Sequence, residues 1–341
     1  MPLISFVIPC HNVAPWLNRM VDSILGQQGL SLEIILVDDG STDETGRICD
    51  DYAAKDPRIH VLHRNYLDIS LTRNAGMEIA QGEYLTFVDG DDVVSPRMGE
   101  ALAPVFAQCR PDIVRYGFQT QYSDGSTQDW VLPYPRGLCS PEELTRHRLD
   151  GIYPEKVLDY SVPRVLSASA HLIRRELVEE NHLRFALCRD VLNEDYLFIL
   201  RALFAAESLY HLPEPLYFYI ARSGSLSRHL QDRMMERKRK LIQEYVNFLP
   251  MEDGEVQARV RNFYIDSVYD CFQNACNQSS CRKEAMERIR PLLRDSQLSE
   301  CIRKNRSRIG SMKTRCICLL MSRRMGLSMY FLYRLMAGRK N

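Results

Sequence analysis

Long hydrophobic runs, a disulfide framework and acidic residues near the C-terminus are all missing from this 341-residue sequence, and each absence excludes something. No uninterrupted apolar stretch reaches the ~18 residues expected of a membrane-crossing helix. The nearest, Cys316 to Ala337, is broken by Arg323, Arg324 and Arg334. The 11 cysteines are an odd number without framework spacing. Cys271, Cys276 and Cys281, and the pair Cys316 and Cys318, lack the partner ligands that complete a zinc spacing. No signal-peptide pattern precedes the strand-like run that follows Met1-Pro2. Together these features predict a reducing, cytoplasmic setting. Internal repeats, low-complexity tracts and the modules of nucleic-acid recognition are absent too, so no nucleic acid partner is expected.

What is present has ordinary globular proportions, 45% hydrophobic and 26% charged, so disorder is not the expectation. The net charge is zero but unevenly spread. Cys301 to Asn341 holds 11 Lys/Arg and no Asp/Glu, which leaves 33 basic against 44 acidic residues in the first 300. An acidic body with a basic tail predicts a tail that meets something anionic.

The first part of the chain alternates two periodicities. Leu3–Ile8, Glu33–Val37, Ile59–Leu62, Tyr84–Val88 and Asp112–Phe118 are short apolar runs that read as strands. Between them, Val13–Gln28, Ser41–Ala54, Asp68–Ala80 and a segment opened by Ser95-Pro96 have helical spacing or caps. Such alternation predicts an α/β fold with right-handed crossovers and a mainly parallel sheet flanked by helices. Ligands of such sheets bind beyond the carboxyl ends of the strands, so the loops after Ile8, Val37 and Val88 should line the site. A hairpin turn is expected at Tyr122–Ser126, helices at 141–149, 175–181 and 194–206, and short strands at 209–212 and 216–220. From Gln231 only helical patterns follow, broken near 250–254 and 278–281. The expected organisation is a domain over 1–230, divided into halves of about 1–118 and about 119–230, then a helical C-terminal region over 231–341.

Three acidic clusters fall where ligands should bind. Asp38-Asp39-Gly40-Ser41-Thr42-Asp43 follows a buried strand. It reads either as a turn with a helix cap or as a site where a carboxylate meets a nucleobase or ribose. Asp89-Gly90-Asp91-Asp92 ends another strand. It reads as a solvated acidic turn, or as two carboxylates able to converge on one hard cation, Mg²⁺ or Mn²⁺, with positions left for phosphate oxygens. Asn193-Glu194-Asp195 opens a helix, where the dipole favours an ionised carboxylate. It reads as a capping cluster or as the seat of a general base.

These motifs, in this order, resemble glycosyltransferase family 2, the inverting enzymes with the GT-A fold, of the type that serves bacterial polysaccharide assembly. The matching residues are Val7-Ile8-Pro9-Cys10-His11-Asn12, the Asp38–Asp43 cluster, Leu71-Thr72-Arg73-Asn74-Ala75-Gly76, and Gly82–Asp92. Glu194-Asp195, Tyr219 and Arg222–Ser227 complete the set, so the resemblance covers roughly residues 3–228. It implies a nucleotide-sugar donor, UDP-sugar first, contacted by Pro9, Asn12, Asp38, Asp39, Arg73, Asp89 and Arg222. Asp89 and Asp91 look like the DxD pair for Mn²⁺ or Mg²⁺, and Asp195 looks like the catalytic base. His229 is a surface histidine or adds a metal or phosphate contact. The implied acceptor is a hydroxyl of a saccharide or polyprenyl-linked saccharide of the cell envelope. Where relatives often carry a Trp-Asn-Lys-type acceptor segment, this chain reads Ser161-Val162-Pro163-Arg164-Val165-Leu166-Ser167-Ala168-Ser169. It has no Gln-x-x-Arg-Trp motif, which argues against a processive polymer synthase.

Two other functions compete with this one. A nucleotidyltransferase also uses paired Asp and metal, but it wants a Gly-rich basic loop where Pro9-Cys10-His11-Asn12 stands. A sugar-nucleotide-binding scaffold without catalysis would not need Asp89, Asp91 and Asp195 together. The basic tail, Met312 to Met336, reads either as a helix packed on the domain or as a peripheral contact with the inner face of an anionic membrane.

Overall fold

The apolar runs of the N-terminal half become strands of one sheet in a computed structural model, which describes residues 3–160, 166–222 and 233–337. The chain divides into two compact units. The first comprises Met1–Arg148 and Val165–Leu226, the second Leu149–Arg164 and Ser227–Asn341.

In the first unit, β1 (Ile4–Cys10), β2 (Leu32–Asp39), β3 (Ile59–Arg64) and β4 (Tyr84–Phe87) are connected by α1 (Ala14–Leu25), α2 (Thr45–Ala53) and α3 (Ile69–Ile79). These strands pair in parallel in the order β3-β2-β1-β4. β5 (Val93–Val94), α4 (Met98–Gln108), β6 (Ile113–Gln121), β7 (Thr127–Trp130), β8 (Gly137–Leu138) and α5 (Pro141–Ile152) follow. The unit is completed by β9 (His171–Arg174), α6 (Arg175–Glu180), α7 (Glu194–Ala205) and β10 (Leu209–Ile220). The sheet runs β3-β2-β1-β4-β9-β6-β10-β5, with β7 on β6 and β8 on β10. β9 is antiparallel to both neighbours, and β6 and β10 are again parallel to each other. The result is the expected mixed α/β sheet.

Both faces of the sheet are covered. Val7, Ile35, Val37, Leu85 and Phe87 join α7 residues Phe198, Ile199 and Ala202 in one cluster, while the alternate residues Phe6, Ile8, Ile34 and Leu36 are equally buried. Phe87 meets Phe185 and Phe198 edge-on at 4.9 and 5.7 Å, and those two rings stack at 4.0 Å. Such geometries add about 0.5–1.5 kcal/mol per pair beyond burial. This ties the start of α7, and therefore Asp195, to the strand that ends at Asp89.

α3 lies close against β1 and β2 because Gly76 has no side chain. A Cβ there would come 2.4 Å from Val7 Cγ1 and 3.2 Å from Val37 Cγ2. Gly76→Ala sets a helix-propensity gain of about 1 kcal/mol against overpacking of about 1–3 kcal/mol. Both valines are fully buried and cannot move away, so overpacking wins. The expected result is a urea midpoint lowered by the equivalent of about 1–2 kcal/mol at unchanged slope.

Several expectations were too coarse. β10 is one strand, not two. Its pairing with β6 is irregular around His211–Tyr217, where Pro213 and Pro215 lack donors for the ladder. β5, β8 and β9 are additional short strands. α4 starts at Met98, after Ser95-Pro96 rather than on it.

The second unit is helical: α8 (Met234–Phe248), α9 (Gly254–Gln278), α10 (Arg282–Leu293), α11 (Ser296–Lys304), α12 (Met312–Ser322) and α13 (Gly326–Ala337). α9 is its axis. Arg259 donates to Asp150 (2.9 Å) and to the Tyr153 carbonyl (2.8 Å), Asn262 donates to the carbonyls of Pro154 and Glu155, and Tyr160 donates to Asp266 (2.6 Å). These bonds hold 149–160 to α9, so this segment, expected within 119–230 of the first domain, belongs to the helical unit.

Candidate active site

The carboxyl ends of β1 and β2 form one joined rim. Asn12 has φ of 52°, a left-handed conformation that Asn tolerates. Its N–H donates to Ser41 Oγ (3.0 Å), and its side-chain oxygen accepts from the Thr42 N–H (2.8 Å). Asp43 accepts from the N–H groups of Ala14 and Thr45, and the Val13 N–H donates to Thr45 Oγ1. Asn12 and half-buried Pro9 thus sit on a rim whose shape depends on the Ser41–Thr45 turn. Gly40 makes that turn with φ of +70°.

Asp38 and Asp39, expected beside the nucleobase and ribose, already accept hydrogen bonds from the protein. Asp38 accepts from the Ser41 N–H (3.3 Å) and lies 3.1 Å from His63 Nδ1. Asp39 is 4% exposed. Its oxygens accept from the N–H groups of Tyr66, Leu67 and Asp68 and from Thr72 Oγ1, at 2.5–3.1 Å. Two oxygens offer about four lone-pair sites. Asp39 therefore holds the 66–68 loop against the rim, and a nucleobase or ribose donor reaching it must share one of those sites.

Arg73 is the centre of the charged network. It is buried, donating to Asp89 (3.0 Å) through one nitrogen and to Glu194 (3.1 Å) through another, with its guanidinium 5.3 Å from the Phe185 ring centre. Burial pulls its pKa down, but the charges of Asp89, Glu194 and Asp195 more than reverse this and hold it up. Arg73 was expected to approach the base or diphosphate; here two of its nitrogens bond carboxylates, and it joins the end of β4 to the start of α7. Asn74, one residue on, donates to the Phe185 carbonyl and accepts from the Phe185 N–H, both at 3.0 Å. This fastens the chain leading into α7.

Asp195 lies half-buried in the first turn of α7, behind Asn193 with φ of 62°. Its pKa is pushed up to about 7, first by burial and then by the Glu194 charge; Arg73 and the Tyr196 N–H oppose the rise. The helix terminus was expected to keep this carboxylate ionised. Burial beside a second carboxylate outweighs it and poises the group near neutrality.

At the end of β4 the three aspartates have different surroundings. Asp92 is buried, accepting from the Tyr217 hydroxyl and from the Ile220 N–H (2.8 Å). It anchors the acidic turn to β10, and β5 adds backbone pairing there. Asp91 is partly exposed and accepts from Arg222 (2.6 Å), which also donates to the Asp91 carbonyl. Burial and then the Asp89 charge raise the Asp91 pKa, with Arg222 and Arg19 opposing. The Arg222 guanidinium lies 4.0 Å from the ring centre of Trp16, a cation–π contact.

Among the described residues no three His, Cys, Asp or Glu side chains are grouped to hold a metal. Among the described residues a closed site therefore does not fit. An open one does: Mg²⁺ and Mn²⁺ sites serving phosphates need one or two carboxylates, and Asp89 and Asp91 supply hard oxygens at a partly exposed strand end.

The structure thus brings Arg73, Asp89 and Asp195 together through Glu194, sets Asp91 with Arg222, and places Pro9, Asn12, Asp38 and Asp39 at the ends of β1 and β2. His229 lies outside the described residues. Glu194 as the partner of Arg73, Trp16 under Arg222, and Asn74 on Phe185 were not read as site residues. Only the proximity of Glu194 to Asp195, and of Asn74 to Arg73, pointed toward them.

Residues 5–181 match the profile of a family described as Glycosyl transferase family 2. A Bacillus subtilis (strain 168) protein described as uncharacterized glycosyltransferase EpsJ is 34% identical over 316 residues, 89% of this chain and 87% of that one. Glycosyltransferase GlyG of Streptococcus pneumoniae is 33% identical over 66% of this chain and 73% of its own. Among solved structures, S. aureus TarS 1–349 in complex with UDP-GlcNAc matches with a TM-score of 0.71 at 18% identity, covering 97% of this chain and 90% of that one. At that identity the likeness speaks to the fold, which is the GT-A arrangement.

Proposed function

This chain belongs to glycosyl transferase family 2, and from that premise we propose that it is an inverting enzyme. It moves a sugar from a nucleoside-diphosphate donor to a hydroxyl of a saccharide or polyprenyl-linked saccharide in cell-envelope assembly. The observation that carries this reading is the network of Arg73, Asp89, Glu194 and Asp195 at the carboxyl end of the parallel strands. The UDP-GlcNAc complex of TarS, a chain of like fold, supports a uridine donor over other bases.

Asp195 takes the proton of the acceptor hydroxyl as that oxygen bonds to the anomeric carbon. The bond from that carbon to the diphosphate oxygen breaks on the opposite face, and the nucleoside diphosphate carries the electron pair away. Its pKa near 7 leaves Asp195 able both to accept this proton and to release it afterwards. Asp89 and Asp91 would hold Mg²⁺ or Mn²⁺, which when bound neutralises charge developing on the leaving diphosphate. Arg73 keeps Asp89 and Glu194 in place. Arg222 compensates Asp91 and is the cation that turns to the diphosphate when donor binds.

The test is a thermal-shift series with UDP-, GDP- and dTDP-sugars, each with and without Mg²⁺ or Mn²⁺. A UDP-sugar with metal, at about 100 times its Kd, should add about 2.7 kcal/mol of stability. Asp91→Asn should remove the metal dependence of the shift. If no nucleotide sugar stabilises the folded chain with either ion, the donor assignment fails.

A further inference from the structure

The second unit carries an apolar stripe that nothing among the described residues covers. α12 and α13 turn their inner faces to their neighbours. Ile317, Cys318 and Met321 of α12 and Met329 of α13 are buried, and Tyr333 of α13 donates to Asn277 of α9 (2.9 Å). The outer face of α13 shows Leu327, Phe331 and Leu335 at i, i+4 and i+8, which are 48, 53 and 61% exposed. Met312 and Leu319 of α12 are bare as well. A helix face three residues long and one stripe wide is the pattern of a second apolar partner, not of a solvated surface.

The charge around the stripe selects that partner. Arg315, Arg323, Arg324 and Arg334 are exposed, and no ion pair engages them among the described residues. No acidic residue lies anywhere from Cys301 to Asn341. A second copy of the chain meeting this face through a two-fold axis would set like charges against each other. No helix is long and apolar enough to cross a membrane. An apolar stripe on two helices that carry cations and no carboxylate suits a surface that is greasy below and anionic above.

We propose that α12 and α13 form a docking surface for an anionic lipid bilayer. Leu327, Phe331 and Leu335 enter the boundary between headgroups and acyl chains, and Arg315, Arg323, Arg324 and Arg334 meet the headgroup phosphates. This inference stands apart from the donor site, because it uses none of that site's residues.

The test is sedimentation of the full chain with phosphatidylcholine vesicles, with and without phosphatidylglycerol. The chain should pellet with the anionic vesicles at low salt, stay in solution with the neutral ones, and be released by added salt. Phe331→Ser with Leu335→Ser should weaken partitioning by roughly tenfold or more. Arg323→Gln and Arg324→Gln should each weaken it by roughly fivefold. These side chains are exposed, so melting temperatures should hold; if the serine variant melts early, the arginine variants carry the test. The proposal is overturned if the chain stays in solution with anionic vesicles, or if it pellets equally with neutral ones. It is also overturned if the variants bind like the parent chain, or if light scattering shows a dimer that the serine variant dissolves.

Discussion

Asp195→Asn is expected to lower kcat by about 10²–10⁴-fold, the usual worth of a positioned general base, while the metal-dependent stabilisation by donor persists. The amide keeps the shape of the carboxylate and can still accept from the Tyr196 N–H (2.9 Å), but it cannot take a proton from an acceptor. The substitution also has a thermodynamic signature. In the folded chain the Asp195 pKa is raised to about 7, above its unfolded value, so the folded state binds a proton that the unfolded state releases. Stability should therefore fall as pH rises from the ordinary carboxylate range through about 7. Asp195→Asn should flatten that slope and should match or exceed the parent in stability at pH 8. In the parent, kcat/KM should fall on the acid side as Asp195 protonates, with an apparent pKa near 7 or lower where bound metal adds positive charge. A variant turning over within tenfold of the parent would remove Asp195 from its role.

Arg73→Met should be the most destabilising single change in the site. It removes the buried cation that pairs with Asp89 and Glu194, and breaking a buried pair from one side costs about 3–5 kcal/mol. Asp89 is about a third exposed (36%), while Glu194 is 15% exposed. Water therefore screens part of the loss, and the lower end of that range is expected. Arg73→Lys keeps the charge but has no planar fork to reach Asp89 and Glu194 at once, so it should recover only part. Combining Arg73→Met with Glu194→Gln should restore stability without restoring turnover, because Asp89 remains unsupported. Urea midpoints and steady-state rates on the same four proteins separate these outcomes. An Arg73→Met chain as stable as the parent would show that the network is spectator charge.

The half of the fold that positions the site was legible because β1, β2 and β4 are buried apolar runs with helices between them, and such runs need no knowledge of their partners to be recognised. β9 was not legible. It has only four residues, and it is a strand because β4 lies on one side and β6 on the other. The division of β10 into two strands followed from Pro213 and Pro215, whose lost donors the structure absorbs as an irregularity. In the site, Asp89, Asp91 and Asp195 stood out as acidic clusters at element ends. What these residues bind did not: Arg73 and Glu194 are 121 residues apart, and Arg222 and Asp91 are 131 apart. Asp39 shows the same limit from the other side. A carboxylate that looks free at a strand end is occupied by a loop almost thirty residues later.

The chain enters the helical unit at 149, leaves it at 164 and returns at 227. The two units are therefore interleaved rather than sequential, and neither can be inherited as a cassette through one exchange of sequence. A break near residue 230 would deliver α9 without the 149–160 segment, to whose side chains and carbonyls Arg259, Asn262 and Asp266 are bonded. The same break would leave Tyr153 and Val157 on the other fragment without their cover. Divergence in the C-terminal helices must then proceed by substitution within an intact chain, or by paired exchanges on both sides of Asp195.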